Sequence, residues 1–440
     1  MAAAPRFAYR RAWYPLSPLE DLDRRRPQAV ELLEQRYVIW WLRADAAWRV
    51  FLDRCPHRLA PLSEGRLDPL SGQLMCSYHG WRFDGEGLCR RIPQANPATP
   101  AAEQARRLCA TPLPCRQEAG LLWLWPDADT AEQADATALP ISEALRQALD
   151  SPAFLIGSVV RDLPYDWQTL VENVADPSHV PFAHHGIQGR RERAVPIPLE
   201  MEQEGPERLV AVLDSRAFAM ATRITFQPPA LLEYDFSLAG GKRMGLITWC
   251  LPVAPGRSRL VGVFPRNFAT GWQRLVPRWW DHATNRNAVL DGDLLLLKHQ
   301  ERQLQREEQA WSRAYRLPTP ADRLVIAVRR WIDRYGAPFA TGSSDRALLA
   351  ALQHDPLALM DRYHQHTLHC RSCRRALAWT QALQLTGLAL FVVLLPLAVL
   401  LPAARLALLL LAVLAVALAA GLRWQLEPRF RSRLYQHWRR

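Results

Sequence analysis

Cys55-x-His57, an eighteen-residue gap and then Cys76-x-x-His79 fall within DRCPHRLAPLSEGRLDPLSGQLMCSYHGWRF, the stretch that most constrains how this chain can fold. Two cysteines and two histidines so spaced are metal ligands. A structural zinc site accepts Cys2His2, but its usual order places both cysteines before both histidines. Here each arm carries one of each. That suits a [2Fe–2S] cluster with two thiolates on one iron and two imidazoles on the other, the Rieske arrangement. Neutral imidazoles remove negative charge, so such clusters sit at roughly −150 to +300 mV and accept electrons from ordinary ferredoxins, which lie near about −400 mV. Gly80-Trp81 and Asp84-Gly85 predict a hairpin beneath the cluster.

A second constellation is Glu172-x3-Asp176-x2-His179-x4-His184. Two histidines plus a carboxylate, with open coordination positions, form the facial triad of non-haem Fe(II) oxygenases. On an ideal helix His179 and His184 would point about 140° apart. Pro181 lies between them and supplies the break that lets them converge. His185 reads as a hydrogen-bonding neighbour. The carboxylate must come from further on. Asp293, just before LLLLKHQER, is favoured over Asp291, since an aspartate opening a helix often serves only its first turn.

Around these motifs the pattern is α+β. Tyr37–Trp41, Trp48–Leu52 and Gly120–Trp125 read as strands of an N-terminal β domain. Residues 127–153, rich in Ala and Asp with a helical piece near Ser142–Leu149, read as a linker. Asp166 caps an expected helix running to Asp176-Pro177. Strand-like segments follow at Leu209–Leu213, Thr222–Phe226, Leu231–Leu238, Gly245–Leu251 and Arg259–Phe264, then helices from Leu290 to about Glu308 and over Ala321–Tyr335.

Cys370-Arg371-Ser372-Cys373 follows His364, His366 and His369. A CxxC beside arginine can be a redox switch; a His-Cys zinc site is the alternative. Leu385–Leu401 and Leu406–Leu422 are apolar runs near the ~17–25 residues that span a bilayer. Arg405 belongs in the loop between them, since arginine at mid-membrane costs roughly 2.5–3.5 kcal/mol. Arg371, Arg374, Arg375, Arg423, Arg429, Arg431 and Arg433 flank the other ends, which by the positive-inside rule sets the bulk of the protein in the cytoplasm or stroma.

Composition narrows the partners. The 440 residues allow two or three domains. The net charge of +12 is almost all arginine and comes with no basic-aromatic nucleic-acid motif, so no nucleic-acid partner is expected. A basic surface would instead favour anionic lipid headgroups. Eight cysteines do not form a secreted disulfide framework; Cys89, Cys109, Cys115 and Cys250 read as buried free thiols. MAAAPRFAYRRAWYPL lacks an apolar signal region and is short for a transit peptide. The expected source is a bacterium or cyanobacterium, or a mature organelle form.

DRCPHR, LSEGRL, CSYHGW, Ile92-Pro93-Gln94, ENVADPSHVPFAHH, Asp293, the late CxxC and the two apolar runs together resemble the α subunits of Rieske non-haem iron oxygenases. The nearer resemblance is to the pheophorbide a oxygenase group, with the chloroplast translocon-associated Rieske protein and the protochlorophyllide-modifying oxygenases. The resemblance implies that Cys55, His57, Cys76 and His79 hold the cluster, and that His179, His184 and Asp293 hold mononuclear iron. It implies that Asp176 bridges the two metals, in this family normally across the interface of a homotrimer. Electrons would come from ferredoxin or a reductase, and dioxygen would oxygenate an apolar ring substrate. A chlorophyll-type tetrapyrrole is favoured; a sterol or carotenoid, or a non-catalytic redox-sensing role, are the alternatives. Cys370 and Cys373 would be a redox switch reduced by thioredoxin. The expected layout is a Rieske domain (1–126), a linker (127–153), a helix-grip-like catalytic domain (154–350), a CxxC segment (351–377), two transmembrane helices (378–422) and a basic tail (423–440). The whole would be integral to a thylakoid, plasma or plastid membrane.

Overall fold

β-Branched and aromatic residues are concentrated in strands such as Gln35–Leu42 and Ala47–Leu52, where they pack on a half-buried pleated surface. The computed structural model describes residues 5–95, 108–215, 220–307, 310–339 and 359–432; Arg433 and the expected boundary at 350 lie outside them. The chain clusters into two units, one of Met1–Ser178, Val195–Thr270 and Gln300–Asp345, the other of His179–Ala194, Gly271–His299 and Arg346–Arg440. This division differs from the linear domain layout read from the sequence, because segments distant in the chain pack together.

The first unit begins with small antiparallel sheets. Its strands are β1 (Tyr14–Pro18), β2 (Gln28–Leu32), β3 (Gln35–Leu42), β4 (Ala47–Leu52), β5 (Arg66–Leu67), β6 (Leu74–Met75), β7 (Arg82–Phe83), β8 (Cys89–Arg91), β9 (Pro112–Leu113), β10 (Cys115–Glu118) and β11 (Leu121–Leu124). They pair as β1-β11-β10, β2-β3-β4-β9 and β5-β6-β7-β8. Val38, Trp40, Phe51, Leu62, Leu74 and Phe83 fill the space beneath the β5–β8 sheet. Cys89 and Cys250 are buried free thiols, whereas Cys109 and Cys115 are half-buried.

Next comes a seven-stranded antiparallel sheet: β12 (Leu155–Leu163), β13 (Leu199–Glu204), β14 (Leu209–Ser215), β15 (Met220–Gln227), β16 (Leu231–Leu238), β17 (Lys242–Ala254) and β18 (Arg257–Arg266). The order β12-β18-β17-β16-β15-β14-β13 is a meander with β12 closing one edge. Helix Trp167–Ala175 packs on it, capped as expected by Asp166, whose side chain accepts the Gln168 N–H. Trp167 is fully buried and donates to the Cys250 carbonyl at 3.0 Å. A second helix, Arg323–Tyr335, lies against β13 and β14. Residues 127–153 are not a loose connection. They form the short helices Ala131–Ala136 and Glu143–Asp150, anchored where Trp249 donates to the Pro140 carbonyl at 3.2 Å.

In the second unit, Val180–Ala183 is a four-residue helix. Arg278–Asp281 leads through a π turn, His282–Arg286, into helix Asn287–Arg306, which belongs to this unit as far as His299. A second π turn, Tyr363–Thr367, precedes helix Arg371–Leu400. Cys373 therefore lies in the first turn of the helix that carries the first apolar run, rather than in a separate segment before it. Residues Pro402–Ala404 turn the chain into Arg405–Gly421, with Arg405 at the turn as expected. The second apolar element continues past residue 422 as helical turns to Arg429. The paired helices meet at Gly387, where a Cβ would lie 2.9 Å from the Ala415 carbonyl oxygen. Their outer faces expose Leu385, Val392, Leu410 and Leu414.

Candidate metal centres

Two loops of matching construction present Cys55, His57, Cys76 and His79. In the first, the Cys55 N–H donates to the Ala60 carbonyl at 2.8 Å and the Leu59 N–H returns to the Cys55 carbonyl at 2.9 Å. In the second, the Cys76 N–H donates to Trp81 at 2.9 Å and the Gly80 N–H to Cys76 at 3.0 Å. Both loops turn through a left-handed residue, Leu59 (φ 60°) and Gly80 (φ 72°). The thiols point inward and His57 faces solvent. Their imidazole rings lie with centroids 4.5 Å apart, and His57 stacks on Trp81 at 4.7 Å.

Two buried thiols beside one exposed and one half-buried imidazole fit a cluster with a separate ligand pair on each iron. Burial pushes the Cys55 thiol up to about 12. A thiolate at that position therefore needs a cation beside it, as metal ligation provides. Desolvation and the neighbouring His57 and Arg58 hold His79 below its usual value, which favours the neutral imidazole a cluster binds.

His179, His184 and Asp293 converge so that one ligand atom from each lies within 4.8 Å of the others. The two Nε2 atoms are 3.1 Å apart, and Asp293 Oδ2 lies 3.5 Å from His184 Nε2. His184 and Asp293 are buried and His179 is half-buried. Three such donors on one side can hold a divalent iron and leave its remaining positions for small ligands. The break between the histidines is not at Pro181. Helix Trp167–Ala175 already ends before Asp176-Pro177, and Pro181 sits in the first turn of the Val180–Ala183 helix, where its missing N–H costs nothing. His179 and His184 cap the two ends of that single turn, so neither has to follow helical phase.

Asp291 and Asp293 are about 200° apart around their helix and face different partners. Asp291 takes both Nε (2.8 Å) and Nη2 of the buried Arg362 guanidinium, so it is committed to an ion pair. Asp176 stands at the C-terminal end of its helix, where Oδ1 accepts the Ser178 N–H at 2.7 Å and its hydroxyl at 2.6 Å. Glu172 pairs with Arg329 and accepts from Gln300 at 2.8 Å. It is part of the packing rather than of a metal set. His185 Nδ1 accepts the Arg191 N–H at 3.2 Å.

Sequence reasoning missed one further partner. His282 joins His366, Cys370 and Cys373 in a second group of buried ligand atoms, also all within 4.8 Å of one another. A hydrogen bond with Cys373 holds the Cys370 thiol far below the ordinary thiol range, against the burial that opposes it. Nothing local marked His282, which lies 84 residues before its ring partner His366.

Comparison with known proteins bears on these centres. A Rieske [2Fe-2S] domain model matches residues 12–111, and a pheophorbide a oxygenase model matches residues 226–311. The chain is 40% identical to pheophorbide a oxygenase of Oryza sativa, over 87% of this chain and 76% of that one. The chain belongs to the pheophorbide a oxygenase family. It is a Rieske non-haem iron oxygenase, and its cofactors are a [2Fe–2S] cluster and a mononuclear iron. It is also 35% identical to flavonoid 8-hydroxylase 2 of Ocimum basilicum, over 98% of this chain and 86% of that one. Among solved structures, dicamba monooxygenase bound to dicamba superimposes with a TM-score of 0.60 over 75% of this chain and 98% of its own, at 23% identity, which establishes a shared fold.

Proposed function

We propose that this family member oxygenates a chlorophyll-type tetrapyrrole drawn from a membrane, using dioxygen and electrons from ferredoxin or a reductase. The observation that carries the chemistry is the convergence of His179, His184 and Asp293 in a chain that also holds the paired Cys-His loops. The proposed ligands are Cys55, His57, Cys76 and His79 for the cluster and His179, His184 and Asp293 for the iron. When bound, the cluster supplies single electrons and the ferrous iron supplies the dioxygen chemistry.

The chain's own residues set the conditions for both. Trp81 fixes the plane of His57, and the two left-handed turns hold the imidazoles at the solvent edge, where an electron donor can approach. The single turn Val180–Ala183 holds both iron histidines within reach of Asp293, and the Arg362–Asp291 pair fixes the roll of the helix that carries it. Asp176, anchored by Ser178, is proposed to link the cluster of one protomer to the iron of the next in a homotrimer. A carboxylate between imidazoles orients them and can carry the proton that accompanies an electron. The sheet with its two helices supports a helix-grip-like catalytic domain.

The helical pair Arg371–Leu400 and Arg405–Gly421 has the length and exposed apolar surface of a bilayer hairpin. Arg371, Arg374, Arg375, Arg423, Arg429 and Arg431 lie toward its open end and Arg405 at its turn, which supports a bulk facing the cytoplasm or stroma. Such an anchor raises the effective concentration of a membrane-partitioned substrate. The tetrapyrrole reading rests on likeness to the rice enzyme, and likeness to the basil hydroxylase favours a flavonoid as the second reading.

The test is turnover with a reductase and labelled dioxygen. Pheophorbide a or chlorophyllide a should gain one labelled oxygen atom, detected by mass spectrometry. Conversion of a flavone, sterol or carotenoid with no tetrapyrrole product would overturn the substrate and leave the oxygenase chemistry standing.

A further inference from the structure

His282, His366, Cys370 and Cys373 lie outside both centres used above, and all four are buried, at 2%, 1%, 0% and 1% exposure. From these side chains we infer a third metal centre, a closed Cys2His2 zinc site that ties the start of the iron-bearing helix to the base of the apolar hairpin.

The edges of the cluster carry the inference. A tetrahedral zinc ion with Zn–N near ~2.05 Å and Zn–S near ~2.3 Å sets N···N at about 3.3 Å, N···S at about 3.5 Å and S···S at about 3.8 Å. The observed separations are 3.1 Å for His282 Nδ1 to His366 Nε2, 3.6 Å for His282 Nδ1 to Cys370 Sγ, 3.8 Å for His282 Nδ1 to Cys373 Sγ and 3.4 Å for His366 Nε2 to Cys373 Sγ. A hydrogen-bonded pair would account for one or two of these edges. Two thiolates and two imidazoles facing one point is a donor set that suits zinc. Both cysteines are free thiols. A disulfide would bring the two sulfurs to about 2.05 Å, far shorter than the spacing of two thiolates on one zinc.

The local backbone is shaped for the purpose. Each histidine sits on a π turn, His282 at the start of His282–Arg286 and His366 within Tyr363–Thr367. A π turn inserts a residue and re-aims a side chain that an α-helix would send elsewhere. Cys370 is the N-cap of the Arg371–Leu400 helix and Cys373 lies in its first turn, so one knuckle presents both sulfurs. Ala283, Leu377 and Phe430 pack around the group and keep water from it. Four protein ligands without an open position make a structural site, not a catalytic one.

What the site would hold is visible in Arg362. Its guanidinium binds Asp291, two residues from Asp293, and donates to the Ala283 carbonyl at 3.3 Å and the Arg429 carbonyl at 2.9 Å. The zinc would thus fix the segment from which the Asp293 helix starts, together with both feet of the hairpin.

The test uses the full-length protein in mild detergent, carrying its iron centres. Elemental analysis should find about one zinc per chain beside the iron, and zinc-edge absorption should give two sulfur and two nitrogen neighbours at about 2.3 and 2.05 Å. Cys370→Ser with Cys373→Ser should lose that zinc equivalent, whereas His366→Cys should keep it with a third sulfur neighbour. The wild-type measurement stands even if the double variant does not fold. Absence of zinc from the wild type, iron in its place, or a Cys370–Cys373 disulfide that thioredoxin reduces would overturn the site, the last in favour of a redox switch.

Discussion

Asp291 and Asp293 show how two identical side chains in one helix turn come to do different things. Their ~200° separation sends one to Arg362 and the other to the histidines. The two should therefore fail differently. Asp293→Ala should lose the mononuclear iron while the Rieske electron paramagnetic resonance signal stays at full strength. Asp291→Ala leaves the Arg362 guanidinium buried without its carboxylate, and stripping one partner from a buried pair typically costs about 3–5 kcal/mol. Thermal unfolding should report that loss, and iron content should fall only with the fold. Loss of iron at unchanged stability in Asp291→Ala would reverse the two roles. His57→Ala should abolish the Rieske signal and leave iron binding at His179, His184 and Asp293; a full signal in that variant would remove His57 from the cluster. Asp176→Asn should retain both metals, yet give no product in a single turnover from a pre-reduced cluster. A normal yield would show that Asp176 is only a helix cap.

Elements succeed or fail on packing that the local sequence indicates only in part. The strands from Leu209 to Phe264 were legible because β-branched and aromatic runs alternate with turns, whereas β12 and β13 were not, since each lies at a sheet edge and β13 carries four polar residues in LEMEQE. The Asp166 cap was legible because a short acceptor before a helical run has one local use. A break ahead of the two histidines is legible in the sequence but its place is not, because proline is as acceptable in a first turn, where Pro181 sits, as it is disruptive in a helix interior. The hairpin depends on small residues where its helices meet. Gly387→Leu would drive a side chain into the Ala415 carbonyl and Ala419. It should separate the helices and lower the detergent-solubilised protein's thermal midpoint, while a leucine at the outward-facing Val392 should leave it unchanged.

At the scale of the whole molecule, the proposed anchor carries a prediction of its own. Membranes washed with alkaline carbonate should retain the full chain and release a version ending before Cys370; release of both would exclude a bilayer hairpin. By itself the sequence pointed to the two cysteines and two histidines proposed for the cluster and to the His179 and His184 proposed for the iron, because metal chemistry demands particular atoms and the Rieske loops and the His179–His184 turn supply them within short, local stretches. It also showed two apolar helices joined by a short turn, because each run lacks a polar face and Pro402–Arg405 interrupts them. Tertiary structure alone decided which aspartate faces the histidines and that Glu172 serves Arg329. It alone brought His282 to His366 and the CxxC. The reason is one of range: spacing along a turn or loop fixes neighbours a few residues apart, but partners 71, 84 or 157 positions away are chosen by how helices pack and which buried charge must find its counterpart.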